Sequence, residues 1–200
     1  MIAALFNYGA DGAQTSGAPA YAISLTAGGA TTLVTALGGF PITLVQTSST
    51  AITGQYSNGG TQTAFTVSIN ATTGIVTLTQ NIALEHNIDG NNSAGEHNDV
   101  LTLAGLITAT VTITDRDGDS HEGRAQIGGN LSFFDDGPAA VADTNMVTEG
   151  AVVSGNVLTD GADDNFGADG AHITTPAGGV VGVAAGNNNT APVSGGVGTA

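Results

Sequence analysis

The sequence predicts an all-β fold, an antiparallel β-sandwich followed by a truncated second module. Strand-favouring Thr, Val, Ile and Ser are abundant, whereas Lys, Glu, Arg and Met, which favour helices, are scarce. Short runs in which polar and apolar residues alternate recur along the chain, and turn signals rich in glycine separate them. Evenly spaced short strands with such turns are typical of a sandwich.

The first half of the chain contains six such runs, and each predicts a strand. They cover residues 21–26, 31–36, 42–46, 51–56, 63–69 and 75–79. In the fifth run, Phe65, Val67 and Ile69 face one side, whereas Thr66 and Ser68 face the other. This alternation predicts one buried and one solvated face.

The second half predicts three further strands and a linker. The strands cover residues 100–103, 106–114 and 124–134. Asp135-Asp136-Gly137-Pro138 predicts the linker, because proline cannot donate to a strand ladder. We therefore expect a sandwich module over residues 1–138, and a linker with the partly disordered start of the next module over residues 139–200.

One seven-residue phrase occurs twice, which predicts a repeated module. Asn-Tyr-Gly-Ala-Asp-Gly-Ala at residues 7–13 returns as Asn-Phe-Gly-Ala-Asp-Gly-Ala at residues 165–171. Tandem modules are typical of stalks and arrays rather than of enzymes. We expect the chain to be a fragment, one long module and the opening of a second copy.

The charge of the chain excludes several partners. The net charge is −15, from 17 acidic residues and only two basic ones. Nothing here neutralises phosphates, so nucleic acid and anionic membrane surfaces are excluded as partners. No apolar stretch reaches the roughly 18 residues of a membrane span. Divalent cations are the natural agents to neutralise this charge, and the absence of cysteine leaves no disulfide to replace them.

The sharpest acidic cluster is Asp115, Asp117 and Asp119, three aspartates at alternate positions. Their oxygens converge on one side of an extended segment or loop, where Ca²⁺ takes six to eight oxygen ligands. Without a cation they repel one another. Ser120 and Gln126 stand where an EF-hand needs Gly and Glu, so the loop is not an EF-hand. The alternative is a polar turn.

Three further groups of acidic residues are candidate metal sites. Asp135 and Asp136 are expected at the opposite end of the sandwich from the first loop, where calcium would bridge neighbouring modules. The third group leaves a hydrated loop, calcium and a transition metal open: Glu85, Asp89, Glu96 and Asp99, with His86 and His97. The fourth predicts calcium or a polar segment: Glu149, Asn156, Asp160, Asp163, Asp164 and Asp169.

Enzymatic interpretations find little support in the residues. No Gly-x-Ser-x-Gly elbow occurs. A pair of acids could serve a glycosidase, but carbohydrate sites usually display exposed aromatic side chains, and the few Phe and Tyr residues here stand mostly at core-like positions. We expect no enzyme activity.

Seven motifs follow one another along the chain: Gly-Ala-Asp-Gly (9–12), Ile-Thr-Leu-Val-Gln (42–46), Phe-Thr-Val-Ser-Ile-Asn-Ala-Thr-Thr-Gly (65–74), Ala-Leu-Glu-His (83–86), Asp-Val-Leu-Thr-Leu (99–103), Thr-Asp-Arg-Asp-Gly-Asp-Ser (114–120) and Phe-Asp-Asp-Gly-Pro (134–138). In this order they resemble the long tandem repeat of giant bacterial RTX-type adhesins exported by type I secretion. Ser-Gly-Asn-Val-Leu-Thr-Asp (154–160) resembles a cadherin-like segment. Glu85, where Asp is usual, and Arg116, where a small residue is usual, depart from the family pattern.

The resemblance implies Ig-like or cadherin-like calcium-loaded sandwiches in a secreted or surface-anchored bacterial protein. We therefore expect a calcium-binding spacer of a large adhesin, contributing to cell adhesion or biofilm, with neighbouring repeats as partners and a host or surface ligand bound through other domains. The alternatives are a module that itself binds a glycan or another cell, and an accessory domain of an enzyme. The expected metal ligands are Asp115, Asp117, Asp119, Asp135, Asp136, Glu85, Asp99, Glu149, Asp160 and Asp163.

Overall fold

The computed structural model of the protein describes residues 7–14, 19–86, 99–135 and 137–167. The chain divides into two compact units, Met1–Asp135 and Asp136–Ala200. In the described part, no helix is long and apolar enough to cross a membrane. Five residues of the predicted acidic groups lie outside the described residues: Asp89, Glu96, His97, Asp136 and Asp169.

The first unit is all-β, and its paired strands are antiparallel, which confirms the predicted fold class. Its strands are β1 (Ala20–Leu25), β2 (Ala30–Val34), β3 (Pro41–Ser48), β4 (Ala51–Ser57), β5 (Thr61–Ile69), β6 (Val76–Gln80), β7 (Val100–Thr102), β8 (Ile107–Thr114), β9 (Ser120–Gln126) and β10 (Ser132–Phe134). Eight of the nine predicted strands lie within a few residues of an observed one, because their alternation reports which face is buried.

One layer is a five-stranded meander with the order β2-β3-β4-β5-β6. Strand β5, which lies between β4 and β6, has Phe65, Val67 and Ile69 buried, whereas Thr66 and Ser68 are half-buried. The strand thus has one buried face and one more accessible face, as its alternating sequence predicts. The buried face covers the core, and the threonine-rich face replaces the charged surface that residues 12–84 lack.

A three-stranded sheet, β1-β8-β9, and a two-stranded sheet, β10-β7, complete the sandwich-like arrangement. Ile23 of β1 and Ile107 of β8 belong to the same buried cluster as the apolar residues of the meander. The ring centroids of Phe65 and Phe133 lie 4.8 Å apart at an interplanar angle of 55°, which joins β5 to β10.

The prediction of a single strand over residues 124–134 is wrong. The structure has two strands there, β9 and β10, separated by a 3-10 turn at Gly128–Asn130. β9 pairs with β8, whereas β10 leaves that sheet and pairs with β7. At this turn the Gly128 backbone lies close against Leu103. A Cβ at residue 128 would therefore overlap the Leu103 carbonyl oxygen.

The first three residues of the repeated phrase form the same turn in both units. The Gly9 amide donates to Asn7 Oδ1 at 3.0 Å in the first unit, and the Gly167 amide donates to Asn165 Oδ1 at 2.9 Å in the second. Both glycines have positive φ, 74° and 77°. The phrase is therefore a local folding motif, an Asx turn that requires glycine two residues after asparagine.

Candidate functional site

A third aspartate, Asp11, joins two members of the predicted acidic loop. An isolated antiparallel bridge pairs Ala13 with Asp115, and the Arg116 amide donates to the Gly12 carbonyl oxygen at 3.1 Å. These contacts hold the N-terminal segment beside the loop that connects β8 to β9. One carboxylate oxygen from each of Asp11, Asp115 and Asp117 lies within 4.8 Å of the others. We call this trio the β8–β9 carboxylate group.

Asp119 lies outside this trio of converging oxygens, although the spacing predicts it as a ligand. Its backbone closes the loop instead. The Asp119 amide donates to Asp115 Oδ1 at 2.9 Å, and the Asp115 amide donates to the Asp119 carbonyl oxygen at 2.9 Å. A second amide, that of Gly118, also donates to Asp115 Oδ1, at 3.1 Å. The loop is therefore organised around the Asp115 carboxylate.

The carboxyl groups of Asp115 and Asp117 are placed to share a hydrogen bond when one of them carries a proton. That bond lowers the pKa of Asp115 below its ordinary value, and amide donors of the loop lower it further. The same bond raises the pKa of Asp117, and the negative charges of Asp115 and then Asp119 raise it further. A proton shared by these two carboxyl groups relieves the electrostatic repulsion between them. A cation bound at the same place would have the same effect.

A second trio brings together His86, Asp99 and Asp135. One ligand atom from each lies within 4.8 Å of the others. The side chains of His86 and Asp99 are 6% and 13% exposed, and His86 Nδ1 lies 3.3 Å from Asp99 Oδ1. We call this trio the His86 group. It combines one imidazole with two carboxylates in a largely buried position.

Strand pairing explains why these residues meet. Asp99 immediately precedes β7 and Asp135 immediately follows β10, and the two strands pair with Val100 opposite Phe134. His86 is placed by the segment before it, where Leu84 forms an antiparallel bridge with Thr35. Asp99 and Asp135 belong to different acidic groups in the sequence, and the pairing of β7 with β10 brings them together. This pairing is a long-range contact that no local sequence pattern predicts.

Glu85 does not belong to the His86 group. It is exposed, and its amide donates to the Val34 carbonyl oxygen at 3.1 Å. The residue that the structure turns toward Asp99 is its neighbour, His86. Arg116, within the β8–β9 loop, is also exposed.

The acidic residues of the second unit form no trio of converging ligand atoms within the described segment 137–167. Asp160 Oδ2 accepts a hydrogen bond from the Asn156 amide at 2.8 Å, and Asp164 Oδ1 accepts one from the Val141 amide at 2.7 Å. These carboxylates therefore stabilise the local backbone conformation. Glu149 and Asp163 are exposed.

Asp143 is a buried carboxylate that belongs to none of the acidic groups predicted from the sequence. Both its oxygens are inaccessible to solvent, and within the described part of the chain neither accepts a hydrogen bond. A Cβ at Gly161 would lie 3.3 Å from Asp143 Oδ1, so glycine leaves room beside the carboxylate. No sequence signal marked it, because Asp143 has no acidic neighbour in sequence and lies far from the acidic run at 160–164.

Comparison with known proteins identifies a family but no activity. A family model described as "Domain of unknown function (DUF5801)" matches residues 2–128. Searches of curated proteins and of solved structures each gave no match. Because the family model covers more than half of the chain, the chain belongs to the DUF5801 family.

Proposed function

We propose that this member of the DUF5801 family is a calcium-binding, non-enzymatic spacer repeat of a large secreted or surface-anchored bacterial adhesin. The observation that carries the proposal is the β8–β9 carboxylate group. Asp11 lies about a hundred positions before Asp115 and Asp117 in the chain, yet one oxygen of each lies within 4.8 Å of the others. Three carboxylates at this separation repel one another unless protons or a cation neutralise them.

The donor set favours calcium over other metals. All three ligands are carboxylates, and two of them, Asp11 and Asp117, are exposed, so additional water ligands have access. Calcium takes six to eight oxygens in flexible geometry, whereas zinc and copper favour nitrogen and sulfur. The net charge of −15, in a chain that has no lysine, also favours the binding of cations in general.

The proposed mechanism is mechanical. An ion held by Asp11 and the β8–β9 loop ties the start of the unit to the end of β8, through the segment that already pairs Ala13 with Asp115. At low calcium, repulsion among the carboxylates loosens this tie, which suits a chain that must remain exportable. At extracellular calcium, with affinities of about 10⁻⁴–10⁻³ M for such modules, the tie forms and stiffens the repeat. The sandwich then acts as an Ig-like or cadherin-like spacer between neighbouring repeats.

Thermal unfolding in EDTA and in ~10 mM calcium tests the proposal. For one site with a Kd of about 10⁻⁴–10⁻³ M, ~10 mM calcium stabilises the folded state by about 1.4–2.7 kcal/mol. This corresponds to a rise in Tm of several degrees for a domain of this size. Asp11→Asn combined with Asp117→Asn is expected to abolish the rise.

The matched control is Glu122→Gln, which removes one negative charge from an exposed position on β9. It is expected to keep the calcium response of the natural chain. A response that is equally small in the control, or absent from the natural chain, would contradict the proposal and favour a polar turn at the loop.

A further inference from the structure

We propose that the His86 group is a binding site for a first-row transition metal, with Zn²⁺ as the ion of choice. The site is separate from the β8–β9 carboxylate group and does not depend on the proposed calcium function. Its ligands are one imidazole nitrogen, from His86, and carboxylate oxygens from Asp99 and Asp135, all within 4.8 Å of one another.

The imidazole determines the class of metal. Calcium and magnesium take oxygen ligands, whereas imidazole suits zinc, copper, nickel and iron. The β8–β9 carboxylate group has no nitrogen ligand, so the two groups differ in the metal that they favour. One histidine with two carboxylates leaves a fourth position of a tetrahedral zinc site for water or another ligand.

The position of His86 Nδ1 provides an independent observation. The side chain is 6% exposed, and within the described residues Nδ1 has no hydrogen-bond partner, although Asp99 Oδ1 is only 3.3 Å away. A buried ring nitrogen without a hydrogen bond carries a desolvation cost. The atom therefore lies beside the Asp99 carboxylate without hydrogen-bonding geometry, which a metal ion between the ligands would explain.

The distance itself fits a shared metal. Zinc lies about 2.0–2.1 Å from imidazole nitrogen and about 2.0–2.2 Å from carboxylate oxygen. Two ligands of a tetrahedral ion at those distances are about 3.4 Å apart, close to the 3.3 Å between His86 Nδ1 and Asp99 Oδ1. A good N–H···O hydrogen bond is shorter, about 2.7–3.2 Å.

The site would fasten the ends of separate chain segments. His86 follows the bridge at Leu84, Asp99 begins the β7 segment, and Asp135 ends the β10 segment. β7 and β10 are three residues each, and together they form only a two-stranded sheet. Two short strands are weakly stable alone, so a metal that holds their adjoining ends stabilises this edge of the first unit.

The test is a Zn²⁺ titration of the full chain, followed by calorimetry, in an excess of calcium that saturates any oxygen-only site. We expect one equivalent of zinc per chain, with binding at least tenfold weaker in His86→Gln and in Asp99→Asn. The matched control is His121→Gln, since His121 is exposed on β9 and lies outside both groups. Equal loss in His86→Gln and His121→Gln, or displacement of zinc by calcium, would overturn the proposal.

A second measurement uses the natural chain and so does not depend on whether the variants fold. Long-range ¹H–¹⁵N NMR of the imidazoles during the titration is expected to shift the His86 nitrogens and leave those of His121 unchanged. If zinc leaves the His86 signals in place, the trio is a polar contact between an imidazole and two carboxylates and does not hold the metal. Because calcium is constant throughout, failure of the calcium proposal leaves both results interpretable.

Discussion

Gly54 of β4 pairs with Phe65 of β5, and the Phe65 ring occupies the space where a side chain at residue 54 would begin. A Cβ at Gly54 would overlap Phe65 Cζ. Phe65 is fully buried and stacks at a tilt against Phe133 of β10. The glycine therefore makes room for the ring that joins the two layers of the sandwich.

Gly54→Ala is expected to lower the free energy of unfolding by about 1–3 kcal/mol, because the added methyl group displaces a ring that the core holds tightly. Urea denaturation followed by circular dichroism measures the loss. The matched control is Gly28→Ala: a Cβ at Gly28 meets nothing within 4 Å, and the position is exposed. A loss of stability as large in Gly28→Ala as in Gly54→Ala would show that the effect does not come from displacement of the Phe65 ring.

The strands illustrate what the sequence can predict. β5 was predictable because Phe65, Val67 and Ile69 alternate with Thr66 and Ser68, a pattern that depends only on neighbouring residues. The incorrect prediction of a single strand over residues 124–134 has two causes, one local and one distant in the sequence. The Gly128-Gly129-Asn130 turn signal was readable, but the partner that draws β10 away, β7, is a short strand thirty residues earlier.

The candidate sites illustrate the same limit. Asp115 and Asp117 are readable as a cluster because they are two residues apart. Asp11 carries no metal signal in sequence, since only the bridge between Ala13 and Asp115 brings it to the loop. The repeated phrase at residues 7–13 did mark this segment as special, and its Asx turn and its aspartate give that repetition a physical reason.

Asp11 and Asp115 are expected to act as one unit in calcium binding. If both hold the same ion, Asp11→Asn and Asp115→Asn each remove most of the affinity, and the double variant loses much less than the sum of the two losses. Calorimetric calcium titrations of the two single variants and the double variant measure this coupling. Additive losses would mean that the two aspartates hold different ions, or that one acts only through the net charge of the surface.

The Asp115–Asp117 pair is expected to titrate in two separated steps in EDTA. The pKa of Asp117 is raised by its hydrogen bond to Asp115 and by the charges of Asp115 and Asp119, so the first proton binds above the ordinary pH range of an aspartate. The pKa of Asp115 is lowered by the same bond, so the second proton binds below that range. Side-chain ¹³C NMR of the two carboxyl groups measures both steps.

The two shifts act on stability with opposite signs. The raised pKa of Asp117 favours the folded state at low pH, and this contribution is lost as the pH rises through that raised pKa. The lowered pKa of Asp115 stabilises the folded state above the ordinary aspartate range, and this contribution is lost as the pH falls through the lowered value. Calcium affinity is expected to fall as Asp117 takes up its proton. In Asp117→Asn the pKa of Asp115 should move up toward its ordinary value; an unchanged value would rule out the shared bond as the main cause.

Asp143→Asn is expected to stabilise the second unit in EDTA. The Asp143 oxygens are buried, and within the described segment they accept no hydrogen bond, so the ionised carboxylate is costly there and a neutral amide of the same shape costs less. The amides of Ala139 and Asn165 report on this unit locally, because each donates to the carbonyl oxygen of the other. A gain of about 1.4 kcal/mol slows their hydrogen exchange about tenfold.

The exposed residue Asp163 supplies the control, since Asp163→Asn removes the same charge without burial. It is expected to leave the exchange of Ala139 and Asn165 unchanged. Faster exchange in Asp143→Asn than in the natural chain, with EDTA present, would mean that the carboxylate already stabilises this unit without metal.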